Sequence, residues 1–347
     1  PKGLLKFHTL REGSRTAFEE HLEEAVHYVA DANGLCRIHF TISPEHEEGF
    51  RRLFEQVRPQ YEKRHGVVYQ VTFSHQQPST NTLAVDLENR PFRDRFGRLV
   101  FRPGGHGALI KNVNNLQGDL VYIKNVDNVV QGRLKDEIVF WKRILGGCLV
   151  SVEASVHDHV RQLKSRLSPS SVEQAEGFAA ERLLVQIPET YATWPLKKKG
   201  AFLQKELDRP IRVCGVVQNV GEPGGAPFWV EDGSGELSLQ IVEKAQVDFD
   251  SPEQQEIWNA STHFNPVDLV CSLRNHEGRP YALERYVDPD AVFISKKSME
   301  GRSLKALELP GLWNGAMAGW LTIVVEVPRI TFNPVKTVFD LLRPEHQ

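Results

Sequence analysis

Cysteine is scarce: the chain holds four, Cys36, Cys148, Cys214 and Cys271, far apart and without a CxxC pair. That spacing speaks against a zinc ribbon and against a disulfide framework, and it predicts reduced, buried thiols in a cytoplasmic protein. Long apolar runs are missing too, so no segment is predicted to span a membrane, and no secretory signal is visible. Neither sign of charge is in excess: 42 basic residues stand against 45 acidic ones, for a net charge of −3. The largest compact basic cluster, Lys197-Lys198-Lys199, lacks the interleaved aromatics of a nucleic-acid track. Nucleic acid is therefore set aside as a partner, while local phosphate binding stays open. Internal repeats and low-complexity tracts are absent. His157, Asp158 and His159 do not make a metal site on a helix, because positions i and i+2 do not share a face. Residue 1 is Pro rather than Met, and the native N-terminus is expected upstream of it.

What is present is an ordinary globular composition, 40% apolar and 25% charged, in 347 residues, enough for one large domain or two smaller ones. Thr16-Ala17-Phe18-Glu19 reads as a capping box, and the helix behind it carries Phe18, Leu22, Ala25, Val26 and Val29 on one stripe, ending at Asn33-Gly34. Ile38, Phe40 and Ile42 alternate as in a strand. Residues 46–64 read as a helix and 67–73 as the next strand, which is βα alternation. Leu120-Val121-Tyr122-Ile123 is a short apolar run, predicted to be a central strand covered on both faces. Residues 133–166 read as a long helix or a pair broken at Gly146-Gly147, Ser168 to Ser171 as a linker, and the stretch to Leu207 as mainly helical. Strands dominate from Ile211. Asp232-Gly233-Ser234-Gly235 marks a hairpin between 228–231 and 237–242, and 321–327 is a further strand. Trp313, Trp320 and Phe332 read as core.

The chemistry-bearing residues fall at places where such sheets bind ligands. The run Arg102-Pro103-Gly104-Gly105-His106-Gly107 lets backbone approach a flat or anionic ligand, just before an expected helix start. Asp127 follows the 120–123 strand, and ligands of open α/β sheets bind beyond the carboxyl ends of strands.

Taken in order, these pieces resemble the UDP-sugar pyrophosphorylases, the UDP-glucose and UDP-N-acetylhexosamine type. Pro1-Lys2-Gly3, followed by Ser14 to Phe18 and a helix, is similar to the segment after that family's phosphate loop. Phe73 to Pro78, with Gln76 and Gln77, is similar to their strand-end glutamine, which reads uracil. Gly104, Gly105 and His106 match the loop that packs on the base, and Val126-Asp127-Asn128 matches the strand-end Asp that holds magnesium. In the second half, Glu222-Pro223-Gly224-Gly225, Val242-Glu243 and Phe264-Asn265 resemble the sugar-side elements. Val325-Glu326-Val327 and Phe332-Asn333-Pro334-Val335-Lys336 resemble the strand leading to a phosphate-facing lysine. The string from Gly104 to Asn128 resembles a bacterial branch of the superfamily more than any enzyme of known substrate.

The resemblance implies an α/β, glycosyltransferase-A-like, Rossmann-related mixed sheet flanked by helices. Its expected parts are a nucleotide half at 1–131, a helical insertion at 132–209 and a sugar half at 210–347. It implies transfer of a nucleotidyl group from a nucleoside triphosphate, UTP by the resemblance, to a sugar 1-phosphate, with release of pyrophosphate. Lys2 and Lys336 are then the catalytic cations. Gln76, Gln77, Gly104, Gly105 and His106 bind nucleotide; Glu222, Gly225, Glu243 and Asn265 bind sugar. Asp127 is the Mg2+ ligand, with Asp340 as a second carboxylate. The family's strand and Gly-rich phosphate loop are expected before Pro1, so residues 1–347 alone are expected not to turn over. Departures exist: Glu243 is followed by Lys-Ala rather than Tyr-Ser, which leaves the sugar open. Two other readings remain, a non-catalytic nucleotide-sugar binder and a metal-dependent glycosyltransferase. Against the latter, the strand end reads Asn125-Val126-Asp127 rather than Asp-x-Asp.

Overall fold

The protein is described here by a computed structural model covering residues 1–10, 13–222, 224–233 and 235–347. The chain folds as two compact units: Pro1–Gln76, Ile123–Gly146 and Glu326–Gln347 form unit 1, and Gln77–Tyr122 with Gly147–Val325 form unit 2. This partition interleaves segments of the chain. The class is mixed α/β. Among the described residues, no helix is long and apolar enough to cross a membrane.

Unit 1 opens with a 3-10 turn, Lys2–Leu4, and an antiparallel pair, β1 (Lys6–Leu10) and β2 (Gly13–Thr16). Thr16 then caps α1 (Ala17–Ala25): its hydroxyl accepts the Glu19 N–H, and the Glu19 carboxylate accepts the Thr16 N–H at 2.8 Å. The helix stops at Ala25, short of the expected Asn33-Gly34. Tighter bonds, His27 N–H to Glu24 and Tyr28 N–H to Ala25, take over there, and the Asp31 carboxylate then captures the N–H groups of Asn33 and Leu35. A competing side-chain acceptor ends the helical ladder before the glycine does. β3 (Leu35–Thr41), α2 (Glu47–His65) and β4 (Val68–Ser74) form a parallel βαβ unit, with Leu35 opposite Val68 and Thr41 opposite Ser74. Phe18, Leu22, Phe50, Phe54, Val57, Tyr61 and Tyr69 fill the core between α1, α2 and the strands. Phe18 is fully buried, with its ring centroid 4.7 Å from that of Phe40. Truncating such a ring costs about 3–5 kcal/mol.

Unit 2 contains the short pair β5 (Thr82–Leu83) and β6 (Phe101–Arg102), then α3 (Ile110–Leu116) and β7 (Leu120–Ile123). The helix α4 (Lys135–Ser165), assigned to unit 1 as far as Gly146 and to unit 2 from Gly147, runs 31 residues without a break. Its buried stripe of Ile138, Leu145, Leu149, Val156, Val160 and Leu163 continues across the glycines, outweighing a propensity cost of about 1 kcal/mol each. Ser168, expected in a linker, is instead the N-cap of α5 (Pro169–Arg182), with Pro169 in the first turn. α6 (Leu196–Leu207) follows.

The strands β8 (Ile211–Val216), β9 (Ala226–Glu231) and β10 (Leu237–Val242) come next, then α7 (Pro252–Asn259) and β11 (Asp268–Ser272). β12 (Phe293–Met299), β13 (Arg302–Glu308) and β14 (Leu321–Glu326) complete the strands. The largest sheet has the order β14-β8-β11-β7. β8 and β11 are its central pair and are buried throughout, whereas β7 lies at the edge and is half-covered. The central position expected for 120–123 thus belongs to 211–216 and 268–272. Arg212 and Asp268 interrupt their apolar pattern yet are buried, so a hydropathy reading does not mark these segments as the sheet centre. β9 and β10 pair antiparallel as expected; Ser234 of their turn lies outside the described residues.

Candidate functional site

Asp127 is the focus of unit 1. Its carboxylate is 8% exposed and accepts from two ammonium groups on one oxygen, Oδ2: Lys2 Nζ at 2.6 Å and Lys336 Nζ at 3.0 Å. The other oxygen, Oδ1, is buried with no hydrogen-bond partner. Lys2 comes from the first 3-10 turn, where Gly3 is required because a Cβ there would stand 2.7 Å from the Phe50 ring. Lys336 comes from the other end of the chain.

The backbone around Asp127 is fixed on three sides. The His21 ring bonds to the Val126 carbonyl at 3.0 Å. Burial, with Lys124 beside it, pushes the His21 pKa down to about 4, so the ring is a neutral donor at physiological pH. Asn128 accepts the Asn333 N–H at 2.8 Å and donates to the Thr331 carbonyl at 3.1 Å, while the Val335 N–H donates to the Asp127 carbonyl. Asp340 serves this frame rather than extending the acid site. Its Oδ2 accepts the N–H groups of Lys336 at 2.9 Å and Thr337 at 2.7 Å, and its Oδ1 pairs with Arg343 at 2.6 Å. These bonds, the Thr337 N–H first, hold its carboxyl below the usual range. The second metal carboxylate expected at Asp340 therefore appears in the fold as a turn cap that orients the Lys336 backbone.

Unit 2 gathers a different set. His106 Nδ1 accepts the Leu312 N–H at 3.0 Å, which leaves the proton on Nε2, and that atom lies 3.9 Å from the Glu243 carboxylate. Trp313, expected as plain core, packs its ring on His106 with centroids 4.7 Å apart. Burial raises the Glu243 pKa, Asn265 opposes through a hydrogen bond, and Glu308 adds to the rise. Burial also lowers that of His106. Asn265 is 9% exposed, with its Oδ1 unpartnered. Gly225 is required against it, since a Cβ would stand 2.4 Å from Asn265 Oδ1. The loop glycines pack on their own chain: a Cβ at Gly104 would meet the Thr80 carbonyl at 2.6 Å, and one at Gly107 the Pro310 carbonyl at 1.8 Å. Gly105 has φ +78°, and its missing Cβ faces the Glu308 carboxylate. Close self-packing is thus a sufficient reason for these glycines.

The fold brings together Lys2, Asp127 and Lys336 in one unit, and His106, Glu243, Asn265 and Gly225 with the 104–107 loop in the other. Gln76 closes the first stretch of unit 1 and Gln77 opens unit 2, where its carbonyl accepts the Thr80 N–H. The Glu222 carboxylate accepts the Val220 N–H at 3.2 Å within its own loop; Pro223 of that motif lies outside the described residues. His21, Glu308 and Trp313 were not singled out as site residues by sequence. Only His21 carried a signal, a histidine between the core residues Phe18 and Leu22 of an apolar stripe.

Comparison with solved structures supports the fold. A protein described as a UDP-N-acetylglucosamine pyrophosphorylase from Entamoeba histolytica superposes over 98% of this chain and 72% of its own, with TM-score 0.51 and 12% identity. A point mutant of UDP-glucose pyrophosphorylase from Leishmania major, in complex with UDP-glucose, gives TM-score 0.48 and 15% identity over 98% of this chain. The chain spans 61% of that enzyme's length. No curated protein matches the sequence. The model of the family described as a domain of unknown function, DUF4301, matches residues 1–347, and the chain belongs to that family.

Proposed function

We propose that this protein is a sugar-1-phosphate nucleotidyltransferase that uses UTP and releases pyrophosphate. The observation that carries the reading is the convergence of Lys2 and Lys336, from opposite ends of the chain, on the one buried carboxylate of Asp127. In-line attack of a sugar phosphate on an α-phosphorus needs no side-chain nucleophile; it needs positioning and neutralisation of phosphate charge. Two ammonium groups held ready on a carboxylate suit that task, since either can turn from Asp127 to a phosphate oxygen as point donors. Unit 1 then handles the phosphates. In unit 2 the 104–107 loop, with His106, handles the base, and Glu243, Asn265 and Gly225 handle the sugar, whose hydroxyls match the unpartnered Asn265 amide oxygen.

Mg2+ fits the residues present in one respect: the buried Oδ1 of Asp127 is a hard oxygen without a partner. Mg2+ is commonly held by one or two carboxylates plus substrate phosphates, so a single Asp is an adequate protein share. Among the described residues, no group of three or more His, Cys, Asp or Glu could hold a metal without such help. Bound there, Mg2+ would add charge neutralisation on the phosphates.

The test is an assay of the full-length protein with UTP, Mg2+ and a panel of hexose 1-phosphates, reading pyrophosphate and the UDP-sugar. Formation of both is expected. Glycoside formation from a UDP-sugar without pyrophosphate would replace the reading with glycosyl transfer, and nucleotide-sugar binding without any product would make the protein a binder.

A further inference from the structure

Lys336 lies in a stretch with no helix or strand to stiffen it. After β14, residues up to 347 form 3-10 turns at Arg329–Thr331, Val338–Leu342 and Pro344–His346 and an antiparallel bridge from Pro334 to Asn128. Its side chain is 60% exposed. Bonds to Asp127 and Asn128 tie residues 331–335 in place, and the rest of the segment needs an anchor of its own.

A further attachment is a buried chain of side chains. His346 is 2% exposed, and its Nδ1 lies 2.9 Å from Nε2 of His8 on β1. The His8 Nδ1 lies 2.9 Å from Glu20 Oε1 on α1, both side chains being fully buried. On the far side of Glu20, the Lys135 ammonium of α4 bonds to Oε2, and Arg15 of β2 lies 3.7 Å from the same oxygen. Burial opposes the Glu20 charge, yet His8 and Lys135 hold its carboxyl below the usual range. A carboxylate only accepts, so His8 Nδ1–H donates to it, and the ring-to-ring contact supplies one donor and one acceptor. The charges on the segment itself nearest His346 are Arg343 and Glu345. The His346 ring also abuts the backbone of Asn333, whose N–H donates to Asn128 beside Asp127. Leu341 packs on Phe7, Ala17, Val129 and Val335, reinforcing the same docking.

We propose that His8 and His346 are positioning residues for Lys336: their ring-to-ring hydrogen bond latches residues 326–347 onto β1 and α1, so that the Lys336 ammonium reaches Asp127. The consequence for turnover rests on the nucleotidyltransferase reading, but the latch is a property of the resting protein.

The experiment acylates the full-length protein with an amine-reactive reagent at neutral pH and follows Lys336 and Lys2 separately by mass spectrometry. Lys2 is the internal control, since it reaches the same carboxylate from the other end of the chain. His346→Ala should speed labelling of Lys336 by about threefold, the size of a partly exposed ion pair, while Lys2 stays unchanged. His346→Asn, which keeps a polar atom where Nδ1 stood, should restore the wild-type rate. Unchanged Lys336 labelling, or an equal rise at both lysines, overturns the proposal. A second measurement covers a His346→Ala protein that does not fold. Hydrogen exchange of the wild type should show residues 333–347 opening before residues 17–25 as pH falls, and the reverse order overturns the latch. Absence of pyrophosphate release would sink the nucleotidyltransferase reading and leave the labelling result standing.

Discussion

The candidate clusters of the two units are built on opposite electrostatics. In unit 1, two cations meet one buried carboxylate, and the surrounding hydrogen bonds hold its backbone in place. In unit 2, a histidine kept neutral by burial stands near a carboxyl whose charge burial and Glu308 discourage, among glycines fixed by close packing. The first arrangement suits a ligand of high charge. The second suits a flat or hydroxylated ligand, read by shape and by neutral hydrogen bonds. The difference teaches that each unit, taken by itself, is built for its own class of chemical group, since neither environment serves the other's chemistry.

The contrast can be broken by substitution, and the largest effect is expected at the carboxylate. Asp127→Ala should lower kcat about 1000-fold at saturating Mg2+, the upper range for a single electrostatic group. Glu243→Gln should cost far less, because it keeps the shape and hydrogen-bonding capacity of a residue proposed to contact the sugar rather than the phosphates. Pyrophosphate release measures both, and near wild-type turnover in Asp127→Ala would remove it from the site.

Lys336→Ala should lower kcat about 100-fold, by more than it raises KM, because its bond to phosphate strengthens in the transition state. An effect confined to KM would make it a binding residue and weaken the contrast.

Gly105→Leu should cost about 1–3 kcal/mol from its backbone conformation alone, φ +78° and ψ −174°, a region open essentially to glycine. Beyond that, it should weaken nucleotide binding about tenfold in calorimetry, a single bulky side chain disturbing a packed surface. Full affinity in a folded variant would make the loop purely structural.

The smallest and most diagnostic effect is on pH. His21 and His346 are both pushed down to about 4, by burial first. The unfolded chain binds more protons at these groups between their ordinary 6.5 and about 4. Their contribution is therefore intact above 6.5 and is lost as pH falls toward 4. Glu243 is raised, so its contribution has the opposite sign, present at low pH and lost as pH climbs through the raised value. NMR titration of the His21 and His346 rings, beside urea melts of the wild type and Glu243→Gln across acid pH, checks these signs. Ordinary histidine titrations near 6.5 would remove the first half of the contrast.

Much of the local structure was legible because it is written in contiguous residues. Thr16 and Glu19 announce their capping box, Asp232-Gly233 its hairpin, and the alternation from 38 to 73 its βα rhythm. Asp127 was legible as an acid after a short apolar run. The partners that define its environment were less so, because His21 and Asn333 act through backbone atoms that no side-chain pattern advertises. The β8 and β11 pair was hidden for a related reason. A buried arginine such as Arg212 is tolerable only because Thr322 and the Trp313 carbonyl receive it at 2.8 Å and 2.6 Å, and both lie far along the chain.

The sequence by itself determined which short segments cap, turn and alternate, since those outcomes depend on neighbours within a few residues. The tertiary structure alone decided that the two lysines share one oxygen of Asp127 and leave the other bare. It also decided that Asp340 caps a turn and that His346 docks on His8. Those choices follow from burial and from long-range hydrogen bonding, because a polar group taken out of water must find its partner wherever the fold places one.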